Sequence, residues 1–345
     1  MRTSTDAGAD TADRYRAFAS IEASGLSVCY EEWAAGVAGD RGAIALIDRL
    51  PASKRQPNLV FSAARFRGAE AGGFPAFRVW LEDNWAAVEQ TCLTHATQTN
   101  EPARCAVLLP SFGAMTGPLA LIEVGASAGL CLLPDRYSYR YANGAGTRLL
   151  HPADGPSEVL LDCAVTGPVP VPDVVPEIVW RSGIDLNPLD VTDAEHVAWL
   201  EALIWPEHED RRVRLRAAVG IARADPPRLV RGDLNDEVEA LVATAPEEAT
   251  VVVFHTAVLA YLDEPARERF AATMARLAER RGVRWLANEG RTVVPGVAET
   301  LPAILPAASG TVDFVLALDG RAVALTQPHG RAVHWLDQGW PAPPD

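Results

Sequence analysis

The segment from Leu121 to Leu130 holds the residues whose types and spacing are best suited to chemistry. It reads Leu-Ile-Glu-Val-Gly-Ala-Ser-Ala-Gly-Leu, an apolar run followed by a loop of small residues. Gly125 and Gly129 allow a sharp turn and a close approach of the backbone to a ligand. Amides exposed at the start of a following helix would bind an anionic group such as a carboxylate. Glu123 would accept hydrogen bonds from a charged amino group, so the segment suits a ligand with both groups.

Several interpretations of this loop stay open. A dinucleotide loop, Gly-x-Gly-x-x-Gly, is disfavoured because Ser127 occupies the second glycine position. A nucleophile elbow, Gly-x-Ser-x-Gly, is matched with Ser127 as the nucleophile, and Asp319 and His329 follow in the chain order of a serine hydrolase. That enzyme, however, needs most of its sheet before the serine, whereas the predicted strands come after it. A tight turn that binds no ligand is the remaining alternative.

The loop also resembles the first motif of class I S-adenosylmethionine-dependent methyltransferases, acidic-x-Gly-x-small-x-Gly. The matching positions are Glu123, Gly125, Ser127 and Gly129. The resemblance implies that these four residues bind S-adenosylmethionine as the cofactor. It also implies a Rossmann-like fold, in which ligands bind outside the carboxyl ends of parallel strands.

Two more acidic residues close later apolar runs. Asp185 precedes Leu-Asn-Pro, and Asp233 ends the phrase Arg-Gly-Asp. The methyltransferase resemblance assigns Asp185 to the two ribose hydroxyls and Asp233 to the neighbourhood of the adenine amino group. Taken singly, each aspartate is also typical of a turn or a helix N-cap.

The run Val-Val-Val-Phe-His-Thr supplies the catalytic candidates. In the methyltransferase fold this strand end faces the transferable methyl group, which implies that Phe254 contacts the cofactor and that His255 faces its pocket. A histidine with its ordinary pKa of about 6.5 suits proton removal near neutral pH. A hydrogen-bonded structural histidine is the alternative for His255. Glu289, after the next run, is a second catalytic candidate or a capping carboxylate.

Three residues outside these runs are candidates for binding the substrate: Asn100, Arg104 and Glu207. Asn100, Glu101 and Arg104 would share one face of a helix that begins at Asn100, and would reach over the glycine loop. Asn100 is alternatively the N-cap of that helix. Glu207 is alternatively a solvated or capping carboxylate.

Phrases spread over most of the chain resemble a bacterial family known as a domain of unknown function, numbered twenty-three thirty-two. They are Gln98-Thr-Asn-Glu101 with Arg104, the glycine loop from Glu123 to Gly129, Asp185-Leu-Asn-Pro188, Trp205-Pro-Glu207, Arg231-Gly-Asp233, Phe254-His255 and Pro328-His-Gly330. This resemblance supports the fold and implies no particular reaction.

The elements that must position these residues alternate between apolar runs and helical segments. The runs are 119–124, 177–184, 228–231, 250–255 and 283–287, followed by a hairpin of 312–318 and 321–326 around Asp-Gly. The best helices are 75–92, 193–205 and 210–224, the second with Thr192 and Glu195 as a capping box. We therefore predict an α/β protein with the Rossmann-like class I methyltransferase fold, a mostly parallel sheet that ends in an antiparallel hairpin.

The predicted organisation is a helical N-terminal region, 1–117, and an S-adenosylmethionine-binding domain, 118–345. An insert at about 135–176 is expected to be irregular and to contain a short strand pair. In the methyltransferase arrangement the last strand, 321–326, runs antiparallel to the others. His329 is then expected at the sheet edge opposite the glycine loop, far from Ser127.

Composition excludes several classes of function. A net charge of −14 over 345 residues lacks the basic surface on which most nucleic-acid binding depends. No apolar run approaches the roughly 18 residues of a membrane span, and the polar N-terminus is not a secretory signal. Five cysteines form no Cys-x-x-Cys pair, and Cys92 with His95 is only half of a zinc motif, so we predict no metal.

We therefore expect a cytoplasmic S-adenosylmethionine-dependent methyltransferase that acts on a small molecule, without nucleic-acid or membrane partners. The alternatives are a serine hydrolase that uses Ser127 and a protein that binds a nucleoside ligand without catalysis. The sequence leaves the oligomeric state open.

Overall fold

A computed structural model describes residues 4–98, 100–303 and 314–336 of the chain. Its residues form two compact units. The first combines Met1–Thr99 with Thr192–Val213, and the second combines Asn100–Val191 with Arg214–Asp345. The division therefore differs from the predicted boundary between residues 117 and 118.

The first unit is helical. Its helices are α1 (Ser4–Ala17), α2 (Val28–Gly39), α3 (Arg41–Ile47), α4 (Pro57–Phe66), α5 (Phe74–Thr94) and α7 (Ala194–Ala202). Prolines in the first turns of α4 and α5 explain where these helices begin, because proline fits the first helical position. An aromatic core holds the helices together, and within it Trp33 and Phe77 stack with ring centroids 3.7 Å apart.

Helix α7 belongs with the N-terminal helices because of its apolar face. Trp199 is buried, packs edge-on against Phe66 of α4, and donates a hydrogen bond to the Ala96 carbonyl. The helix begins as predicted near residue 193. Its N-cap, however, is Asp193, whose carboxylate accepts from the amides of Glu195 and His196, so the predicted Thr192 capping box is wrong.

The described residues of the second unit form one mixed sheet of eleven strands. The strands are β1 (Leu119–Val124), β2 (Ser138–Asn143), β3 (Gly146–Leu150), β4 (Leu160–Thr166), β5 (Ile178–Asp185), β6 (Arg228–Arg231), β7 (Thr250–Thr256), β8 (Arg284–Gly290), β9 (Phe314–Leu318), β10 (Arg321–Thr326) and β11 (Ala332–Trp335). Their order across the sheet is β3-β2-β4-β11-β10-β9-β8-β7-β1-β5-β6. The helices of this unit are α6 (Cys105–Gly113), α9 (Leu234–Val242) and α10 (Glu264–Arg281), and α8 (Glu209–Ala224) contains a unit boundary.

The strands β6, β5, β1, β7 and β8 form a parallel half-sheet in that order. Chain order runs outward from β1 on both sides, so it reverses between β1 and β7. Ligands of open α/β sheets bind at such a reversal, outside the carboxyl ends of the strands. The prediction of an α/β protein with a largely parallel sheet and a helical N-terminal region is confirmed.

The orientation predicted for the last hairpin is wrong. Strand β9 pairs antiparallel with β8, and β10 pairs antiparallel with β9, so β10 runs parallel to β8. Strand β9 lies between β8 and β10. Because β9 is antiparallel to both, β10 runs in the same direction as the parallel half-sheet. The carboxyl end of β10 and the residues after it lie at the same sheet edge as the glycine loop. The predicted start of this hairpin at Val312 lies outside the described residues.

The predicted insert contains the expected strand pair, β2 with β3, and more. Strand β4 pairs parallel with both β2 and β11, which joins the insert to the main sheet. Tyr137, Tyr139 and Tyr141 are buried, and their hydroxyls donate to the carbonyls of Leu130, Pro134 and Ala106. The alternating tyrosines thus pack into the core of this unit.

The two faces of the sheet bury different sets of residues. One face packs against α9 and α10 through apolar residues that include Ile122, Val253, Val238 and Phe270. On the other face Phe254 contacts Phe112 of α6 edge to face. Among the described residues, no helix is both long enough and apolar enough to cross a membrane.

Candidate functional site

The candidate site lies where β6, β5 and β1 end side by side. Val124, the last residue of β1, pairs with Ile184 of β5, and Asp185 pairs with Arg231 at the end of β6. The predicted acidic residues Glu123, Asp185 and Asp233 therefore occupy three neighbouring strand ends, beside the reversal of strand order.

The glycine loop, residues 125–129, has the backbone that its sequence predicts. Gly125 and Gly129 both have φ of +72°, a left-handed conformation that favours glycine. A Cβ at Gly125 would collide with the side chain of Val258, and one at Gly129 would lie 2.7 Å from Cγ of Pro227. Ser127 also has a positive φ, +51°, which is uncommon for a residue with a side chain.

The prediction that this loop starts a helix with exposed amides is wrong. Two short 3₁₀ turns follow the loop, Leu130–Leu132 and Pro134–Arg136. All five loop amides already donate hydrogen bonds within the chain. The amides of Gly125 and Ala126 donate to the Ile184 carbonyl at 2.7 and 3.0 Å, and the amide of Gly129 donates to the Ala126 carbonyl at 2.7 Å. The other two amides donate to side chains: Ser127 to Asp185 Oδ2 at 2.8 Å, and Ala128 to Asn100 Oδ1 at 3.0 Å. An anion therefore finds no unused amide at this loop.

Asn100 and Asp185 hold the loop from two sides. Asn100 Nδ2 donates to Ser127 Oγ while its Oδ1 accepts from Ala128. Asp185 Oδ1 accepts from the amide of Asn187 at 2.7 Å, so both of its oxygens bind backbone amides. The predicted helix at Asn100 is wrong, because α6 begins at Cys105 after a 3₁₀ turn that Glu101 caps. Asn100 is instead a loop-binding residue.

Glu123 is the exceptional group of the site. Its side chain is buried, with 5% of the residue exposed, and no described residue donates a hydrogen bond to its Oε2. Burial raises the pKa of Glu123 well above its ordinary value, and the nearby thiol of Cys131 acts in the same direction. The guanidinium of Arg104 opposes this shift. A buried carboxylate with an unused acceptor oxygen is suited to a cationic hydrogen-bond donor.

Arg104, a predicted substrate residue, is buried beside this carboxylate. Its Nη1 donates to the carbonyl and the hydroxyl of Thr256 at 2.9 and 3.0 Å, and its Nε donates to the Pro328 carbonyl at 3.0 Å. Arg104 therefore joins the end of β7 to the segment that contains His329. The expectation that His329 lies at the opposite sheet edge is wrong, for the same reason that the orientation of β10 was wrong.

His255 and Glu289 form a closed pair on the other face of the sheet. Trp285 Nε1 donates to His255 Nε2 at 3.0 Å, so that nitrogen is the unprotonated acceptor and Nδ1 carries the proton. Nδ1 donates to Glu289 Oε1 at 2.7 Å, and the amides of Val258 and Leu259 donate to the same oxygen at 2.7 and 3.0 Å. His255 is fully buried with both ring nitrogens engaged. This corrects the expectation that it faces the cofactor pocket as a base.

The other predicted site residues make contacts that stabilise the fold. Phe254 is fully buried against α6, not at the strand edge. Asp233 is the exposed N-cap of α9 and accepts from the Asn235 amide at 2.8 Å. In the first unit, Glu207 accepts from the Cys29 amide at 2.9 Å, at the start of α2. Burial pushes the pKa of Glu207 upward, but hydrogen bonds from Ser27 and Cys29 outweigh it, so this pKa is lowered.

Sequence reasoning missed a buried polar row on the same face as Glu123. Thr256 and Asn288 pair across β7 and β8, and Thr326 donates to Asn288 Oδ1 at 2.6 Å. Asn288 is fully buried, and no described residue accepts from its Nδ2. The available signal was a polar residue near the carboxyl end of three apolar strands, β7, β8 and β10.

Comparison with known proteins places the chain in a family. The sequence profile described as "Uncharacterized protein conserved in bacteria (DUF2332)" matches residues 12–335. None of the curated proteins matches the chain in sequence. Because the match spans nearly all of the chain, including both units and every residue of the candidate site, the protein belongs to the bacterial DUF2332 family.

Proposed function

We propose that the second unit is an S-adenosylmethionine-dependent methyltransferase that acts on a small molecule. The observation that carries the proposal is the position of Glu123, Asp185 and Asp233 at three adjacent ends of parallel strands. They lie beside the reversal between β1 and β7, where open α/β sheets bind ligands. The positive φ angles of the glycine loop support the tight turn that keeps the loop beside these strand ends.

Each residue of this edge has a definite task in the proposal. Glu123 Oε2 accepts from the ammonium group of the ligand's methionine part. Asp185 is partly exposed, and its carboxylate oxygens accept from the ribose hydroxyls. Asp233 lies at the neighbouring strand end, toward the adenine. S-adenosylmethionine supplies an electrophilic methyl group, and the protein contributes chiefly by positioning.

The proposal assigns no proton transfer to His255 or Glu289. Both nitrogens of the His255 ring are engaged, and Glu289 Oε1 accepts from three donors. Using His255 as a base would require breaking one of these bonds in a fully buried place. The geometry supports a positioning role for the pair, because it fixes Val258, whose side chain packs against Gly125.

Calorimetric titration with S-adenosylhomocysteine tests the proposal. We expect binding in the micromolar range, at about −8 kcal/mol. Asp185→Asn removes one acceptor oxygen and the charge, and should weaken binding by about 1.5–3 kcal/mol. Asp263→Asn is the matched control, since Asp263 caps α10 by the same type of side-chain contact, away from the glycine loop. The absence of heat at millimolar ligand would refute the cofactor.

One observation favours a serine hydrolase as the second candidate: His329 follows β10 at the same sheet edge as the glycine loop. A second observation opposes it. The amide after a nucleophilic serine normally binds the oxyanion, but here the amide of Ala128 donates to Asn100. Ser127 is also buried, with 2% exposed. A protein that binds a nucleoside ligand without catalysis is the other alternative. Binding of S-adenosylhomocysteine without any methyl transfer would favour it.

A further inference from the structure

The two ends of an amino-acid-like ligand meet unequal partners at this site. An ammonium group finds Glu123 Oε2, a buried acceptor without a partner among the described residues. A carboxylate would ordinarily bind the amides of a glycine loop. Here the five amides of residues 125–129 donate to Ile184, Asp185, Asn100 and Ala126.

The cation that acts on Glu123, Arg104, does not restore a carboxylate site. Arg104 directs Nε to the Pro328 carbonyl and Nη1 to the carbonyl and hydroxyl of Thr256. These donors bind uncharged oxygens of the protein, and the positive charge of Arg104 lowers the pKa of Glu123, against the effect of burial. A ligand carboxylate in this place would meet the carboxylates of Glu123 and Asp185, and like charges at close range repel.

We infer that the glycine-loop site selects an aminoalkyl nucleoside thioether or sulfonium by its ammonium group, and that a carboxylate on the ligand contributes nothing to binding. The inference rests on the proposed function, because it assumes that the adenosyl part binds along β1, β5 and β6. It goes further by naming the group that is recognised. S-adenosylmethionine is one member of this ligand class, and its decarboxylated form is another.

Four thioether ligands separate the contributions of the two groups. S-adenosylhomocysteine carries both, its decarboxylated analogue carries the amine, its deaminated analogue carries the carboxylate, and methylthioadenosine carries neither. We expect the two amines to bind with dissociation constants that are equal or favour the decarboxylated analogue. The two ligands without an amine should bind about ten- to a hundredfold more weakly, the range for losing a charge-assisted hydrogen bond.

Glu123→Gln tests the residue. It keeps the size of the side chain and removes the negative charge, so the advantage of the amines should fall to less than about threefold. Binding of methylthioadenosine should stay unchanged, which shows that the variant is folded and keeps the adenosyl site. Asp185→Asn is the matched control, because it should weaken all four ligands by a similar factor and leave the advantage of the amines intact.

The outcomes separate this inference from the proposed function. If losing the carboxylate weakens binding more than losing the amine, the inference is overturned. Equal binding of all four ligands overturns it as well, while the adenosyl site and the proposed function stand. If none of the four binds, the proposed function itself fails.

Discussion

Two buried glutamates lie near the carboxyl ends of strands in the same sheet, and their surroundings differ. Glu123 is the last residue but one of β1 and shares a face of the sheet with Phe254, and Glu289 is the last residue but one of β8 and shares a face with His255. Successive residues of a strand point to opposite faces, so the two carboxylates lie on opposite sides of the sheet. They are 5% and 1% exposed. Similar depth therefore does not explain how differently they are bonded.

Glu289 gathers donors, whereas Glu123 lacks them. One oxygen of Glu289 accepts from His255, Val258 and Leu259, which fixes the turn after β7. Oε2 has no partner among the described residues in either glutamate, so the difference lies in the donors that Glu289 binds through Oε1. A buried acceptor without a partner is unfavourable for folding, and such groups concentrate at functional sites. The three donors bound by Glu289 indicate a structural role for it, whereas Glu123, which binds no such set of donors, is the glutamate that we propose serves a ligand.

Removing the Glu289 carboxylate should have the largest effect on stability. In Glu289→Ala three buried or partly buried donors lose their acceptor, and at about 1–3 kcal/mol each we expect the free energy of unfolding to fall by at least about 3 kcal/mol. Urea unfolding followed by circular dichroism measures this change. The control is Glu248→Ala, an exposed carboxylate that should change stability by less than about 0.5 kcal/mol. Equal effects of the two substitutions would contradict the structural role of Glu289.

The Glu123→Gln variant should change stability in the opposite direction. The pKa of Glu123 is raised above its ordinary 4.5, first by burial and then by Cys131, against the opposing charge of Arg104. The folded protein therefore holds this proton more tightly than the unfolded chain, and its stability decreases as the pH rises from about 4.5 through the folded pKa. Glutamine does not titrate. We expect Glu123→Gln to be more stable than the wild type at pH 8, by about 1–3 kcal/mol.

Unfolding at pH 4 and pH 8 checks the sign of this effect. Below the unfolded pKa the wild-type side chain is protonated in both states, so the advantage of the glutamine should nearly vanish at pH 4. Asp185 lies close enough to add to the shift, and Asp185→Asn alone should not reproduce the pH dependence. A Glu123→Gln variant that is less stable at pH 8 would mean that the carboxylate has a partner in the free protein.

The sequence predicted the parallel half of the sheet well because its signals are local. Strands β1 and β6 have the predicted bounds, since turn residues flank each of these short runs. The adjacency of Glu123 and Asp185 also followed from topology, because parallel strands bring their carboxyl ends to one edge. These inferences needed the pattern and the fold class, and no knowledge of side-chain contacts.

The features that escaped prediction depend on partners far along the chain. Asn100 and Asp185 accept from the amides of Ala128 and Ser127, from 28 and 58 residues away. Trp285 occupies the second nitrogen of His255 across 30 residues. The place of β10 depends on which strand of a hairpin pairs with β8, and both choices satisfy the same apolar pattern. Motif spacing carries no information on such pairings.

Ser127 should give the smallest effect and decide between the two enzyme classes. Its φ of +51° strains a residue with a Cβ by about 1–2 kcal/mol, and Ser127→Gly relieves that strain. The same change removes the acceptor of the Asn100 amide, worth about 1 kcal/mol, and loosens the unfolded chain by about 0.5–1 kcal/mol. These contributions nearly cancel, so we expect stability and binding of S-adenosylhomocysteine to change by less than about 1 kcal/mol. Ser127→Thr, which keeps the hydroxyl but adds β-branching at positive φ, should be the less stable variant.

A hydrolase predicts the opposite pattern for the same residue. Its nucleophile would react with a fluorophosphonate probe in the wild-type protein, and Ser127→Gly would abolish both labelling and turnover. In the proposed methyltransferase Ser127 only shapes the loop, and its hydroxyl oxygen accepts from Asn100. Intact-mass measurement should therefore find no adduct on the wild-type protein. Stoichiometric labelling at Ser127 would overturn the proposed function and make His329, at the same sheet edge, the first residue to test as the base.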